Sequence, residues 1–208
     1  MISVSDIIVG TATSDGAGVE INRVIGSKKI DHIDDLFQRF IAACPFIVLS
    51  SRGSDDKVAM SPRGDPAGFV MVLDEKTLAI PNRLGNQRID SYENLLSDPA
   101  VGLIFLIPGY GYTLRVTGKA TLVRDAALQA DMAIRGKQPD LIMIVSVEEA
   151  FMHCAKSITR SSLWRPDAWP DTSDVPTLAE SLKSHGKLPE RLNDIQALVN
   201  EDHDNSLY

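Results

Sequence analysis

Short strand-like segments follow one another along most of the chain, and several of the connections between them are only a turn long. Regular alternation of strands and helices, which a doubly wound parallel sheet requires, is missing. Runs rich in Val, Ile, Leu and Thr between Gly, Pro, Asn and Asp predict strands at 46–51, 57–62, 68–74, 77–81, 101–109, 113–123 and 141–147. The pattern therefore predicts six or seven hairpin-connected strands in a closed or nearly closed antiparallel barrel with peripheral helices.

Helical periodicity appears between and after these strands. It begins at Asp31 and stops at Pro45, returns at 87–97 and 125–134, and ends in a stripe formed by Leu192, Ile195, Leu198 and Val199. Everything after Glu148 is expected to be helical or looped. At 208 residues the chain predicts a single domain 1–208, with an arm (1–25), a barrel with inserted helices (31–150) and a helical extension (151–208).

The charge and the cysteines exclude several classes of protein. A net charge of −7 disfavours a nucleic-acid or membrane-surface protein, because both need a basic face. Cys44 and Cys154 have no CxxC neighbour, so neither a disulfide scaffold nor a zinc site is indicated, and both thiols are expected to be reduced and packed. No apolar run reaches membrane-spanning length, and the first residues lack a basic leader, which predicts a cytoplasmic protein.

Two arginines lie on a short connection, PNRLGNQRIDSYENLLSDP (81–99), between an apolar strand and an amphipathic helix. Arg88 falls in the first turn of that helix, where the dipole disfavours cations by about 0.3–1 kcal/mol. A bound phosphate would resolve the conflict, because backbone N–H groups and a guanidinium would converge on its oxygens. Asn86 suits the N-cap, and Arg83 is placed to reach the same point. The alternative is that Arg88 pairs with Asp90 or Glu93 while Arg83 is solvated.

Neighbouring segments favour the anion. Ser61 and Arg63 end an earlier strand, and Thr113 and Arg115 begin a later one. If these strands lie side by side, one face of the barrel carries three or four positive groups together with hydroxyls. That concentration would be unusual in a chain of net negative charge.

The run from SPRGDPAGFVMVLDEKTLAIPNRLGNQRIDSYENLLSDPAVGLIFLIPG through TLRVTGKATL resembles the pyridoxamine 5′-phosphate oxidase-like family of FMN-binding split barrels. The shared features are a basic Gly-Asn loop after a strand, a helix ending in Asp-Pro, an apolar strand and a V-x-G-x-A strand. The resemblance implies a mainly β fold with peripheral helices, a six-stranded antiparallel split β-barrel, and a homodimer with FMN at the interface.

The resemblance also implies which residues contact the cofactor. Asn86 and Arg88 match the phosphate-binding positions, and residues 156–164 match a segment that reaches the cofactor from the neighbouring subunit. The expected cofactor-binding residues are Ser61, Arg63, Ile80, Pro81, Asn82, Arg83, Asn86, Arg88, Thr113, Arg115, Lys156, Ser161 and Trp164. No catalytic residue and no metal site is predicted.

The C-terminal region departs from the true pyridoxal phosphate-forming oxidase. The segment LWRPDAWPDTSDVPTL is rich in Pro and Asp where that enzyme grips the phosphate of its substrate, and its charge would repel a phosphorylated vitamer. The leading hypothesis is therefore an FMN-dependent oxidoreductase acting on an unidentified small molecule or nicotinamide donor. The alternatives are a non-catalytic flavin or haem binding or carrier protein, and a deazaflavin-dependent reductase.

Three other features have simpler explanations. The pair His153-Cys154 is expected on a helix, where adjacent side chains diverge, so core packing is favoured over a nucleophile. Asp202-His203-Asp204 lies in an acidic tail, which favours a solvated end over a metal site. Both tryptophans could stack on a flavin or pack at an interface. A cofactor contact is favoured for Trp164, because Lys156 and Ser161 lie near it in the sequence, and is not favoured for Trp169.

Overall fold

The computed structural model describes residues 28–83 and 90–205, and a single antiparallel sheet dominates them. The strands are β1 (Phe46–Arg52), β2 (Val58–Gly64), β3 (Met71–Asp74), β4 (Thr77–Pro81), β5 (Ala100–Leu106), β6 (Thr113–Val123) and β7 (Ile142–His153). The helices are α1 (Asp35–Ala42), α2 (Asp90–Ser97), α3 (Ala126–Asp131), α4 (Lys156–Arg160), α5 (Leu178–Gly186) and α6 (Leu192–Asn205), with a 3₁₀ turn at Pro166–Ala168.

The mainly β class with peripheral helices is confirmed, but the expected six-stranded barrel is wrong in strand number and in closure. Seven strands form the sheet in the order β2-β1-β5-β6-β7-β4-β3, and among the described residues β2 and β3 remain unpaired edges. Pro62 in β2 has no backbone N–H, as suits an edge strand, and β3 has four residues and a register shift after Val72. These two edges therefore do not pair with each other.

Alternating burial along the strands places one face of the sheet on the core. Ile47, Leu49 and Ser51 of β1 are buried, while the residues between them are only partly covered. β5 lies between β1 and β6, as its apolar sequence predicts for an interior strand. Its Leu103 and Phe105 are fully buried, so the core is formed mainly by aliphatic side chains of β1, β4, β5, β6 and β7.

β7 is longer than its sequence indicates. It runs through His153, six residues beyond the predicted end, so the expectation of helix or loop directly after Glu148 is wrong. This segment pairs with the first half of β6, and that pairing holds it in the sheet. Because the pairing is between distant parts of the chain, the local sequence pattern does not reveal it. The strands change register next to Gly118, where an added Cβ would lie 2.0 Å from the carbonyl oxygen of Ser146. Only glycine fits this close approach.

The short amphipathic helices α1 and α2 pack against the sheet. α1 begins later than predicted because Asp34 caps it, its carboxylate accepting from the backbone N–H of Phe37 at 2.9 Å. α5 and α6 pack against each other as a helical hairpin, with Ile195 buried between them. Leu198 of the predicted α6 stripe is 62% exposed, so the stripe is only partly covered within the described chain.

The two cysteines differ. Cys44 is buried, as expected, and burial raises the pKa of its thiol. Cys154 is exposed directly after β7, so the expectation that both thiols are packed is wrong for Cys154. Within residues 28–83 and 90–205 no helix has the length and apolar content needed to cross a membrane.

Candidate functional site

A chain of side-chain contacts joins the end of β2 to the end of β4. Arg63 on β2 donates from Nη1 to the Tyr92 hydroxyl at 3.2 Å, and its guanidinium lies 5.2 Å from the centre of the Tyr92 ring. The Tyr92 hydroxyl in turn donates to Oδ1 of Asn82 at 2.5 Å. We call Arg63, Asp65, Asn82, Arg83 and Tyr92 the seam group, because they connect the two parts of the sheet that lack a backbone ladder between them.

Tyr92 is the centre of the seam group. It lies in the first turn of α2 and is only 9% exposed. Burial raises the pKa of its phenol, and the nearby Arg63 guanidinium acts in the opposite direction. The hydroxyl therefore stays protonated at neutral pH and serves as both acceptor for Arg63 and donor to Asn82.

Arg83 is held by an ion pair. Its Nε donates to the Asp65 carboxylate at 2.5 Å, and the Asp65 side chain is 1% exposed while that of Arg83 is 19% exposed. The alternative of a solvated Arg83 is therefore wrong. A buried pair of this kind fixes the guanidinium at the exit of β4 and leaves its remaining N–H groups as directional donors.

Two cavities open beside Arg83. One, of about 330 Å³, is lined by Asn82, Arg83, Ile134 and residues 137–140. The other, of about 180 Å³, is lined by Asp65 and Arg83 together with parts of the segments 66–71 and 131–134. The larger cavity has a volume typical of small-molecule sites, and its lining combines cationic, amide and apolar residues with the acidic Asp140.

A second group of predicted residues lies on the outward face of β6. Thr113 pairs with His153 and Arg115 pairs with Phe151 across β6 and β7. Arg115 is exposed, and its guanidinium carbon lies 5.3 Å from the centre of the Phe151 ring. We call Lys28, Lys29, Arg115, Phe151 and His153 the cation cluster, since both lysine Nζ atoms also lie over the Phe151 ring, at 5.2 and 5.1 Å.

The two groups are separate within one chain. On β7, Thr113 pairs with His153 and Pro81 pairs with Ile142. These two β7 positions are eleven residues apart, which corresponds to roughly 35 Å along the strand. β2 and β6 are not adjacent, because β1 and β5 lie between them. Ser61 pairs with the buried Leu49, and Arg63 pairs with the buried Ile47, so both side chains lie on the core side of the sheet. Arg115 lies on the outward side and therefore does not share a face with them.

The remaining predicted residues have varied surroundings. Ile80 and Pro81 are buried, so the Ile80 side chain packs in the core and only backbone groups there remain for a ligand. Trp164 donates from its indole N–H to the carbonyl oxygen of Tyr110 at 2.9 Å, which fixes the segment after α4 beside the turn that precedes Thr113. Ser161 donates to the Ile158 carbonyl oxygen at 3.2 Å, and Lys156 begins α4.

The loop carrying Asn86 and Arg88, which the sequence predicts to bind phosphate, lies outside the described residues. Several neighbours of the predicted residues were not anticipated. The sequence indicates Tyr92 only as an apolar position of the helix 87–97, and Asp65 only as part of the Gly/Pro-rich loop 63–68. His153 was assigned to a helix, whereas it ends a strand. The available signal for Tyr92 was its position four residues after Arg88, next to the basic loop.

Comparison with family models assigns the fold. The model described as pyridoxamine 5′-phosphate oxidase matches residues 33–154, more than half of the chain, and this range includes all seven strands. The chain belongs to this family. The comparison with curated proteins found no match.

Solved structures with a similar fold have low sequence identity to this family member. HupZ of Group A Streptococcus has a TM-score of 0.48 at 15% identity, covering 58% of this chain and 93% of its own. A pyridoxamine 5′-phosphate oxidase homologue from Lactobacillus delbrueckii has a TM-score of 0.46 at 20% identity, covering 60% and 98%. An F420 reductase has a TM-score of 0.43 at 16% identity, covering 54% and 94%. All three likenesses are too low to carry an argument about function.

Proposed function

We propose that this protein binds FMN and is an FMN-dependent oxidoreductase acting on an unidentified small molecule or nicotinamide donor at a dimer interface. The observation that carries the proposal is the family match over residues 33–154, which spans the sheet, the seam group and the loop between β4 and α2. When bound, FMN supplies reversible acceptance of a hydride, and the protein supplies its position and its electrostatic surroundings.

The donor set beside the loop fits such a cofactor. A flavin mononucleotide requires cations and N–H donors for its phosphate, polar donors for the pyrimidine edge of its ring, and an apolar wall. Arg83 and Lys137 border the larger cavity with positive charge, Asn82 and Gln138 with amides, and Ile134 with an apolar surface, while Asp140 adds one acidic residue to the same lining. In the proposed complex Asn86 and Arg88 hold the phosphate, while Ser61, Arg63 and the β4 exit from Ile80 to Arg83 line the ring.

The proposed site needs two subunits. Thr113, Arg115 and the segment with Lys156, Ser161 and Trp164 are grouped away from Arg83, and the hydrogen bond from Trp164 to Tyr110 keeps that segment beside Thr113. Residues so far apart along β7 contact one small molecule only if a second copy supplies one of the two groups. A homodimer therefore follows from placing both groups on one cofactor.

An exposed apolar surface suits such a dimer. Met60 and Val58 on the edge strand β2 are 72% and 66% exposed, and Phe46 and Ile104 on β1 and β5 are partly exposed on the same side. Proteins cover apolar edge strands because they otherwise pair with other chains. We propose that this outward face of β2, β1 and β5 forms the subunit interface.

The test begins with the protein as purified. We expect a yellow protein whose ligand has the absorption spectrum and mass of FMN, and whose colour is bleached by a reductant and returns in air. Steady-state oxidation of NADH or NADPH above the rate of free FMN then separates an oxidoreductase from a flavin carrier. A colourless protein that does not bind added FMN would refute the cofactor. If a deazaflavin or haem binds in preference to FMN in a competition experiment, that ligand and not FMN is the cofactor.

A further inference from the structure

The helical hairpin of α5 and α6 leaves an apolar groove open. The two helices pack mainly on each other rather than on the sheet, and only Ala179 and Ile195 of the pair are buried. A groove of about 520 Å³ opens on the hairpin. We call it the hairpin groove, and its apolar lining consists of Leu178, Leu182, Leu188, Ile195, Leu198 and Val199. Short helices depend on covering their apolar face, and an exposed apolar groove marks an interaction surface.

The hairpin groove is acidic at both ends. Besides His203, the polar residues that line it are Glu190, which precedes α6, and Asp202, which lies in the last turn of α6. The helix between Leu192 and Asp202 rises 1.5 Å per residue and therefore spans roughly 15 Å. Along this length the groove presents a carboxylate, an apolar surface and a second carboxylate.

Two cations of the hairpin are directed away from the groove. Arg191 is paired with Asp194 through two hydrogen bonds of 2.9 Å. Lys183 donates to the backbone carbonyl oxygens of Leu188 and Glu190. Among the described residues no lysine or arginine lines the groove, and α6 itself contains four acidic residues and neither lysine nor arginine. The charge of the lining therefore favours a cationic occupant.

A second copy of the chain does not match this pattern of charge. Two identical grooves packed together bring carboxylate against carboxylate in either direction of the helices. Asp202 faces the Asp202 of the other copy when the α6 helices run parallel, and it faces Glu190 of the other copy when they run antiparallel. Like charges placed together oppose association, so the occupant that fits both the apolar lining and its ends is a different chain.

We propose that the hairpin groove binds an amphipathic α-helix of another protein. This helix is about three turns long, with leucine-like side chains along one face and a lysine or arginine at each end of that face. Its apolar side chains fill the groove between the exposed Leu178 and Leu198, which are 61% and 62% exposed, and its cations reach Glu190 and Asp202. The groove lies beyond residue 154, where the family match ends, so the inference does not depend on the proposed function.

The test uses the full-length protein and a fluorescein-labelled synthetic helix of about 14 residues, with leucines on one face and a lysine at each end of that face. A second peptide has glutamate in place of both lysines. Fluorescence anisotropy measures the affinities, and sedimentation velocity measures the oligomeric state without peptide. The variants are Leu198→Ser, and Glu190→Lys and Asp202→Lys singly and together. Glu201→Lys is the matched control, because it changes the same charge on α6 at a residue outside the groove lining.

We expect the lysine peptide to bind the wild-type protein saturably and the glutamate peptide not to bind it. Affinity for the lysine peptide should fall at least about tenfold in Leu198→Ser, Glu190→Lys and Asp202→Lys, and should change less than about threefold in Glu201→Lys. The glutamate peptide should bind the double variant, because the reversed charges restore complementarity.

The proposal is overturned if the lysine peptide does not saturate the wild-type protein, if Glu201→Lys weakens binding equally, or if the wild-type protein binds both peptides equally well. It is also overturned, in favour of a second copy as the occupant, if Leu198→Ser lowers the oligomeric mass in the absence of peptide.

Discussion

The hydroxyl of Tyr92 provides the sharpest stability test of the seam, and we expect Tyr92→Phe to destabilise the protein by about 2 kcal/mol. The substitution removes the acceptor for Arg63 at 3.2 Å and the donor to Asn82 at 2.5 Å while leaving the buried ring in place. A neutral hydrogen bond contributes about 1 kcal/mol to stability, and one to a charged group about 1.5–3 kcal/mol. Because Arg63 is only half-buried, water replaces part of its lost hydrogen bond, which reduces the expected total. For a chain of this size the loss corresponds to a melting temperature about 4–8 °C lower.

Urea and thermal unfolding of the flavin-free protein, followed by circular dichroism, measure this change without the added stability of a bound ligand. Tyr112→Phe is the control, because that side chain is 46% exposed and we expect less than about 0.5 kcal/mol from it. In a double-mutant cycle, Tyr92→Phe and Asn82→Ala should couple by about 1 kcal/mol. Equal effects of the two Tyr→Phe substitutions, or additivity in the cycle, would show that the relay does not connect β2 with β4.

Three further outcomes follow from the same contacts. Arg83→Gln should destabilise by about 3 kcal/mol because it removes the guanidinium from the ion pair with the buried Asp65 carboxylate, and adding Asp65→Asn should recover part of that loss in urea unfolding. The pKa of His153 is lower in the folded protein than in the unfolded chain, so the unfolded chain binds a proton more readily. The free energy of unfolding should therefore fall as the pH drops from 7 through about 6.5, and His153→Gln should reduce this pH dependence. Met60→Lys should shift the protein from dimer to monomer in sedimentation velocity, whereas Leu96→Lys on α2 should not; an unchanged dimer would exclude the β2 face as the interface.

The fold was predictable from sequence where local signals agree with tertiary pairing. β4 and β6 begin and end at the predicted residues, because each has turn residues at its ends and a clear apolar pattern. The second half of β7 was not predictable, since Glu148 and Glu149 interrupt its apolar pattern and only pairing with β6 holds it extended. Whether the sheet closes depends on contacts between distant edges, which no single segment encodes.

The site was predictable in composition more than in arrangement. The basic connection after β4 indicated Arg83 as a candidate anion contact but not its ion pair, because the partner Asp65 lies eighteen residues earlier in a loop whose sequence signals only a turn. Alternation along β6 correctly placed Arg115 on the outward side. The sequence could not show that β1 and β5 lie between β2 and β6, because strand order follows from long-range pairing. The division of the site residues into two groups is therefore a structural result.

We propose that the loop between β4 and α2 binds the phosphate of FMN. This is tested by comparing the affinities of FMN and riboflavin, which differ only in that phosphate. Flavin fluorescence titrations should show the wild-type protein preferring FMN by at least about 100-fold, or about 2.7 kcal/mol. Arg88→Gln should reduce this preference to about tenfold or less, while Arg52→Gln, an exposed arginine paired with Asp98, should preserve it. Equal affinity of the wild-type protein for both flavins, or a preference for FMN that survives Arg88→Gln, would contradict the claim.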